Sequence, residues 1–357
     1  MKKISIIVRD ITKFGGTERA VTNLANLLVT NFDILIVSVY KTSFNHPYFN
    51  LNDKIKISYL DVEKPNSIFQ RFYQYFVLIF ALRNFIINKK LDIIIGTGHA
   101  FNFLLPLITL FLKTKSIAAE HITRSSLPFS TKVFQRISYP YLDALVVLSP
   151  SAKKKYHFCE NTFIIPNSLP FSPAEQSNLN NKTIISVGRL SNEKGYDRLI
   201  EIARLLKRKC DDGWKIKIFG NGDLESELKN AIDSYDLSDF VFLNKAVSDI
   251  QNEYLNSDIY LMTSRFEAFP MVLLEAKACG LPVVSYDCPE GPREIISEAV
   301  DGFLIEDGNI INMTDKLLLL MTDSSLRMIM GKNAKNSISD YGDDVIFDKW
   351  NKVIDNI

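Results

Sequence analysis

Cysteine is scarce in this 357-residue chain. Its four cysteines, Cys159, Cys210, Cys279 and Cys288, are widely spaced and form no CxxC or Cys/His pattern. That spacing argues against a disulfide framework or a structural zinc site and suits a reducing cytoplasm. Long apolar runs are missing as well. The greasiest stretch, FNFLLPLITLFL at 101–112, is short of the ~17–25 residues a membrane span requires and contains Pro106, so no transmembrane helix is expected. The first ten residues, MKKISIIVRD, share two lysines with a signal peptide, but Arg9 and Asp10 cut the apolar run, which reads as a first buried strand. There is no GxGxxG, which removes the dinucleotide fingerprint.

Net charge is nearly absent too, at +1, but the total conceals an asymmetry. Residues 1–170 hold 21 Lys and Arg against 10 Asp and Glu, whereas residues 171–357 hold 21 against 31. Opposite charge on the two halves suggests two domains with different partners. The length and the ordinary composition, 46% hydrophobic and 23% charged, fit two soluble globular domains.

Short apolar runs alternate with helical patterns. Strands are expected at 4–8, 34–39, 93–96, 116–119 and 144–148, and continuous apolar runs of this length suit parallel strands buried on both faces. Between the first two, Val21, Leu24, Ala25 and Leu28 recur at helical spacing. The stretch 167–182, broken by Pro170 and Pro173, reads as the linker. The alternation then restarts with strands in 183–189, 214–220, 240–244, 258–264 and 282–287, and a helix at 196–209. Two αβ series imply two doubly wound domains, 1–170 and 171–357, whose ligands bind beyond the carboxyl ends of the strands.

The residues just past those strands carry the chemistry. Arg189 and Lys194, in GRLSNEKGYD, put two cations at a strand end, beside a glycine and the start of a helix. Guanidinium fork, ammonium and helix N-terminus together suit a bound phosphate, and a solvated loop with ordinary charges is the alternative that these residues leave open. Gly15 and Gly16 follow the first strand and precede a helix, where paired glycines permit close backbone approach or a positive φ, a plain turn being the other reading. FGNGD at 219–223 reads as a plain turn. In SRFEAFPMVLLEAKACG, at 264–280, Glu267 and Glu275 bracket the apolar stretch 268–274. Pro270 suits a first helical turn and Gly280 a helix end, so a helix is expected over 271–278. Glu267 then lies in the pre-helix loop. Glu275 lies inside a buried helix, where a carboxylate requires partners. Two readings stay open for it: acceptor for sugar hydroxyls, or partner of a core arginine.

These segments together resemble the retaining glycosyltransferases of family 4, in particular the bacterial surface-polysaccharide branch. Glu267 and Glu275 match the E-x7-E motif, GRLSNEKG matches G-R-L-x-x-x-K-G, and FGG followed by TE matches the N-terminal glycine loop. The resemblance covers essentially the whole chain; Ala268 stands where many members have glycine. It implies a GT-B fold, two Rossmann-like domains facing each other across a cleft: an acceptor-binding domain at 1–170 and a nucleotide-sugar domain at 171–357, whose last helix packs back on the first. It further implies transfer of a sugar from a UDP-sugar donor to a saccharide, lipid-linked, in capsule, exopolysaccharide or O-antigen synthesis. Arg189 and Lys194 would hold and stabilise the leaving diphosphate, Glu275 would bind the ribose, and Glu267 and His121 would meet the donor sugar. Phe269 and Pro270 would belong to the loop whose backbone meets sugar and phosphate. Val247 would lie near the base, and Gly15 and Gly16 near diphosphate and acceptor. His99, in GTGHAF, would be a further neighbour.

No DxD stands at a strand end, DVE at 61–63 being the nearest, so no cofactor or obligatory metal is expected; nor is a nucleic-acid partner. The segment 67–90, rich in aromatics with Arg71, Arg83, Lys89 and Lys90, reads either as a core helix with solvated ends or as a basic amphipathic helix lying on an anionic membrane. The second reading would place the chain peripherally on the cytoplasmic face of the inner membrane. A sugar-nucleotide epimerase or phosphorylase on the same two-domain plan and a non-catalytic GT-B subunit are the competing readings. The second should have lost motif residues, which this chain keeps.

Overall fold

A computed structural model describes residues 1–13, 15–40, 46–60, 62–63, 67–98, 101–210, 212–247 and 249–357. The chain divides into two compact units, one made of Met1–Ser168 with Asp343–Ile357, the other of Leu169–Gly342. The first break falls inside the expected linker, two residues before the boundary drawn from sequence. The last helix belongs to the first unit.

The first unit is built on seven parallel strands: β1 (Lys3–Val8), β2 (Asp33–Ser38), β3 (Lys56–Tyr59), β4 (Ile93–Gly96), β5 (Lys115–Glu120), β6 (Ala144–Val147) and β7 (Thr162–Ile164). They lie in the order β3-β2-β1-β4-β5-β6-β7. Ile4 is in register with Ile34 on one side and Ile93 on the other. Apolar runs such as IIIG in β4, buried at every position, form here because helices cover both faces. One face packs against the helix Gly16–Leu28 and the C-terminal helix Asp343–Asn356 through Val21, Leu24, Ile346 and Trp350. The other packs against the helix Ile68–Lys89 and the segment after β4, through Leu78, Leu82, Leu105 and Ile108.

The second unit has six parallel strands: β8 (Thr183–Val187), β9 (Lys215–Phe219), β10 (Val241–Asn244), β11 (Ile259–Met262), β12 (Val283–Tyr286) and β13 (Gly302–Ile305), in the order β10-β9-β8-β11-β12-β13. Its main core joins β8, β9 and β11 to the helices Tyr196–Lys209 and Ile310–Thr322 through Ile184, Leu199, Ile216, Ile259 and Leu317. In both sheets the strand order reverses beside the first strand, at β1/β4 and at β8/β11. Loops leaving the carboxyl ends there diverge to opposite faces and open a crevice, which is where doubly wound sheets place ligands.

Candidate active site

β8 and β11 are neighbours, with Ile259 in register with Ile184, so the loops after them emerge together. From β8 the chain runs through 188–191 into the single 3-10 turn Asn192–Lys194, then enters the helix Tyr196–Lys209 at Gly195. From β11 it runs through 263–270 into the helix Met271–Ala278, over the residues expected. Several bonds tie the two loops. The Arg265 amide donates to the Glu193 carbonyl (2.8 Å), and the Thr263 hydroxyl donates to the Lys194 carbonyl (3.1 Å). The Arg265 guanidinium reaches the Asn192 carbonyl (2.7 Å) and forks onto Asp197 (2.8 and 2.6 Å), and that hydrogen bonding holds the Asp197 carboxyl below its usual range. Gly195 makes the approach possible. Its φ is +65°, and a Cβ there would stand 2.2 Å from the Thr263 carbonyl oxygen.

This stitching brings Lys194 and Glu267 together. Lys194 Nζ donates to Glu267 Oε1 at 2.6 Å, and the Ser264 hydroxyl donates to the same oxygen at 2.8 Å. The side chains are only 23% and 11% exposed. Among the described residues Glu267 Oε2 accepts no hydrogen bond, and an ammonium has three donors of which Glu267 uses one. The pair therefore offers a charged acceptor and further donors at one point.

Glu275 is fully buried, and the Tyr254 hydroxyl donates to its Oε2 at 3.0 Å. Tyr254 is thus one partner that orients this carboxylate. Arg189 is 54% exposed, its guanidinium 4.0 Å from Glu193 of the same loop. The FGNGD loop is more than a plain turn. A Cβ on Gly220 would fall 1.9 Å from the Gly188 carbonyl oxygen and one on Gly222 2.2 Å from that of Leu190. Its backbone lies directly against the loop carrying Arg189, with Leu190 N–H donating to the Asn221 carbonyl at 3.0 Å.

Phe269, Pro270 and Val247 are the remaining second-unit residues singled out from the sequence. Phe269 is buried with its ring 5.8 Å from that of Tyr341, and Pro270 caps the following helix, so both side chains anchor the loop. Val247, 40% exposed, follows β10; Ser248 lies outside the described residues.

In the first unit, Gly15 caps the helix Gly16–Leu28 with extended backbone, φ −167°, and a Cβ on Gly16 would meet nothing within 4 Å. Neither glycine takes the positive φ that the sequence reading allowed. His121 follows β5 in a pocket lined by Leu24, Leu148, Asn167 and Trp350. Burial pushes its imidazole down to about 4, opposed by the Asn167 side chain, so it is neutral at neutral pH. Beside it is a residue the sequence reading passed over. Glu120 is buried, receives hydrogen bonds from Tyr139 and from Asn102 (2.8 Å), and is raised by burial to about 7. Its apolar run, SIAAE, gave no sign of those partners, which arrive from 18 and 19 residues away. His99 and Asp61 lie outside the described residues.

The geometry of the second unit is therefore that of a doubly wound domain presenting a cation–carboxylate pair at its switch point. The family model for Glycosyl transferases group 1 matches residues 170–337. An uncharacterized glycosyltransferase of Haemophilus influenzae is 32% identical over 364 residues, covering 99% of this chain and all of its own length. The chain belongs to the group 1 glycosyltransferases. A Campylobacter jejuni relative, GalNAc-alpha-(1->4)-GalNAc-alpha-(1->3)-diNAcBac-PP-undecaprenol alpha-1,4-N-acetyl-D-galactosaminyltransferase, is 27% identical over 363 residues, covering 99% of this chain and 98% of its own. Among solved structures, a variant of S. aureus TarM in complex with fondaparinux, alpha-GlcNAc-glycerol and UDP superposes with a TM-score of 0.83 over 99% of each chain at 16% identity, a likeness of fold. Both units are thus Rossmann-like domains of the GT-B type.

Proposed function

We propose that this glycosyltransferase works with retention of anomeric configuration, as in family 4, moving a sugar from a UDP-sugar to a lipid-linked saccharide during assembly of a bacterial surface polysaccharide. The observation that carries the reading is the Lys194–Glu267 pair at the β8/β11 switch point. A nucleotide-sugar presents anionic phosphate next to neutral hydroxyls. Lys194 and Arg189, from one loop, are assigned as cations for the diphosphate, while Glu267 is assigned as an acceptor for a sugar hydroxyl. Glu275, oriented by Tyr254, is assigned to the ribose.

In this reading Arg189 and Lys194 stabilise charge as it develops on the leaving diphosphate, a role for preorganised cations that grows toward the transition state. The proton of the attacking hydroxyl passes to the departing phosphate on the same face, and the protein's part is to position and to neutralise. No metal is assigned to this step. His121, neutral at neutral pH, is assigned to the donor sugar as a hydrogen-bonding group rather than a charge. The name of the C. jejuni relative supports a diphosphate-lipid acceptor, and the UDP in the TarM complex supports the donor class.

A donor screen tests the reading. Purified protein, a panel of nucleotide-sugars and extracted lipid-linked saccharide should yield a new glycosidic product with one UDP-sugar, with the anomeric configuration of the donor kept. Release of an epimer, or inversion at the anomeric carbon, would refute it.

A further inference from the structure

The first unit carries a groove of about 840 Å³ on the face away from the glycine loop helix. The helix Ile68–Lys89 walls it with Tyr75, Phe76 and Ile79, the segment after β4 with Phe103 and Leu107, and the helix Phe129–Ser138 with Phe134 and Ile137. Around it the surface stays apolar: Tyr73, Phe80, Leu110, Phe111, Phe129 and Tyr141 are all exposed. Single exposed apolar residues need no explanation, but a contiguous patch with a groove marks an interaction surface.

The tip of the middle segment is held in place. Arg83 donates to the carbonyls of Ile108 (2.9 Å) and Leu110 (2.7 Å). The next residue, Phe111, takes φ +61° and is 93% exposed. A phenylalanine fixed outward in a left-handed conformation costs about 1–2 kcal/mol relative to ordinary backbone, which makes the exposed ring a built feature. The stretch 67–141, which supplies most of the groove's lining, is predominantly cationic in sequence. Residues 67–141 contain nine Lys and Arg against two acids, Asp92 and Glu120. Glu120 is buried, and Asp92 accepts a hydrogen bond from the Lys3 amide. Lys113 lines the groove, and Lys89, Lys90 and Arg136 are exposed. At the groove's end the one further acid, Asp143, is paired with Lys115 at 2.8 Å.

We infer that this face docks on an anionic lipid bilayer, its aromatic and aliphatic tips entering the interface, its groove taking acyl chains and its cations meeting the headgroups. A protein partner of mixed charge would leave this excess of cations uncompensated; an anionic leaflet matches it, each basic residue near the surface contributing on the order of 1 kcal/mol. The sequence pointed only to 67–90. The structure shows that this helix spends one face on the core, and that the surface is completed by 103–111 and 129–141. The groove reaches the amino ends of β5 and β6, whereas His121 follows the carboxyl end of β5, so the face can be altered without touching that end of the sheet. The inference deepens the lipid-linked reading, since such an acceptor is presented at a bilayer, but its test needs no sugar.

The full chain is floated with vesicles of phosphatidylcholine, alone or with phosphatidylglycerol, at low and high salt. The chain should float with the anionic vesicles only, and salt should release it. Leu107→Ser with Phe111→Ser, and separately Lys113→Glu with Arg136→Glu, should each weaken association roughly tenfold or more. Met328→Ser, an exposed residue of the second unit, should not. These positions are exposed, so melting should match the parent. No flotation, equal flotation on both vesicle types, or unchanged binding in both double variants would overturn the inference. So would a dimer by light scattering that Leu107→Ser with Phe111→Ser converts to monomer, which would make a second copy the occupant.

Discussion

Lys194 Nζ stands 2.6 Å from Glu267 Oε1, although 73 residues separate them in the chain. The contact follows from topology. β8 and β11 adjoin at the reversal of strand order, and one loop from each closes on the other. The ammonium of Lys194 is therefore the structural partner of the carboxylate assigned to the donor sugar.

The two cations should consequently fail differently. Arg189→Ala removes a mostly exposed guanidinium, so stability should change by less than about 0.5 kcal/mol. Turnover should still fall roughly 10²–10³-fold, the scale of a lost electrostatic stabiliser. Lys194→Ala should lower turnover similarly and also destabilise the fold, because it leaves the Glu267 carboxylate with Ser264 alone. Adding Glu267→Gln to Lys194→Ala should restore part of that stability without restoring turnover. Melting curves beside a transfer assay read both effects; normal turnover in both single variants would remove these residues from the mechanism.

Gly195 sets where Lys194 stands. Gly195→Ala would force a Cβ against the Thr263 carbonyl at a positive φ, so the Lys194 loop must move. Destabilisation of at least about 1–2 kcal/mol is expected, with a loss of turnover comparable to that of Lys194→Ala although no reacting group is removed. Full activity in this variant would mean the loop position is not used.

The sequence located the loops but not their pairing. Strands buried on both faces, such as β4 and β11, stood out as apolar runs. The missed strands, β3, β7 and β13, are all sheet edges, where one side has no neighbour and polar residues such as Lys56 and Ser58 are tolerated. The helix over 271–278 was legible because Pro270 and Gly280 punctuate it. The Lys194–Glu267 bond was not, because chain order does not reveal that β8 adjoins β11. The Glu120 cluster was hidden for the same reason: Tyr139 and Asn102 reach it from separate loops.

Glu120 makes stability depend on pH. Burial raises its folded pKa from 4.5 to about 7, against the hydrogen bonds from Tyr139 and Asn102. Between those values the unfolded chain has lost a proton that the folded chain keeps. Stability from this group is therefore complete below about pH 4.5 and lost as pH rises through about 7, by up to about 3 kcal/mol. Glu120→Gln removes the titration. Urea unfolding should show the variant gaining on the parent from about pH 5 to about pH 8; parallel pH profiles would show that Glu120 titrates alike in both states.

The two glutamates of the E-x7-E motif should separate by ligand. Glu275 is buried and hydrogen-bonded to Tyr254, whereas Glu267 sits at the pre-helix loop with Lys194 and Ser264. If Glu275 accepts from the ribose, Glu275→Gln exchanges a charged acceptor for a neutral amide and should weaken both the intact donor and free UDP. Hydrogen bonds to charged groups contribute about 1.5–3 kcal/mol, so a loss of roughly tenfold or more is expected. Tyr254→Phe, which removes only the hydroxyl that orients Glu275, should weaken UDP by a smaller factor, on the order of fivefold for a loss near 1 kcal/mol. Glu267→Gln should leave UDP affinity nearly unchanged while turnover falls, because its assigned partner is absent from that ligand. Calorimetry with UDP, beside the transfer assay, distinguishes the three variants. Equal loss of UDP affinity in Glu275→Gln and Glu267→Gln would mean that the two carboxylates do not divide the donor in this way.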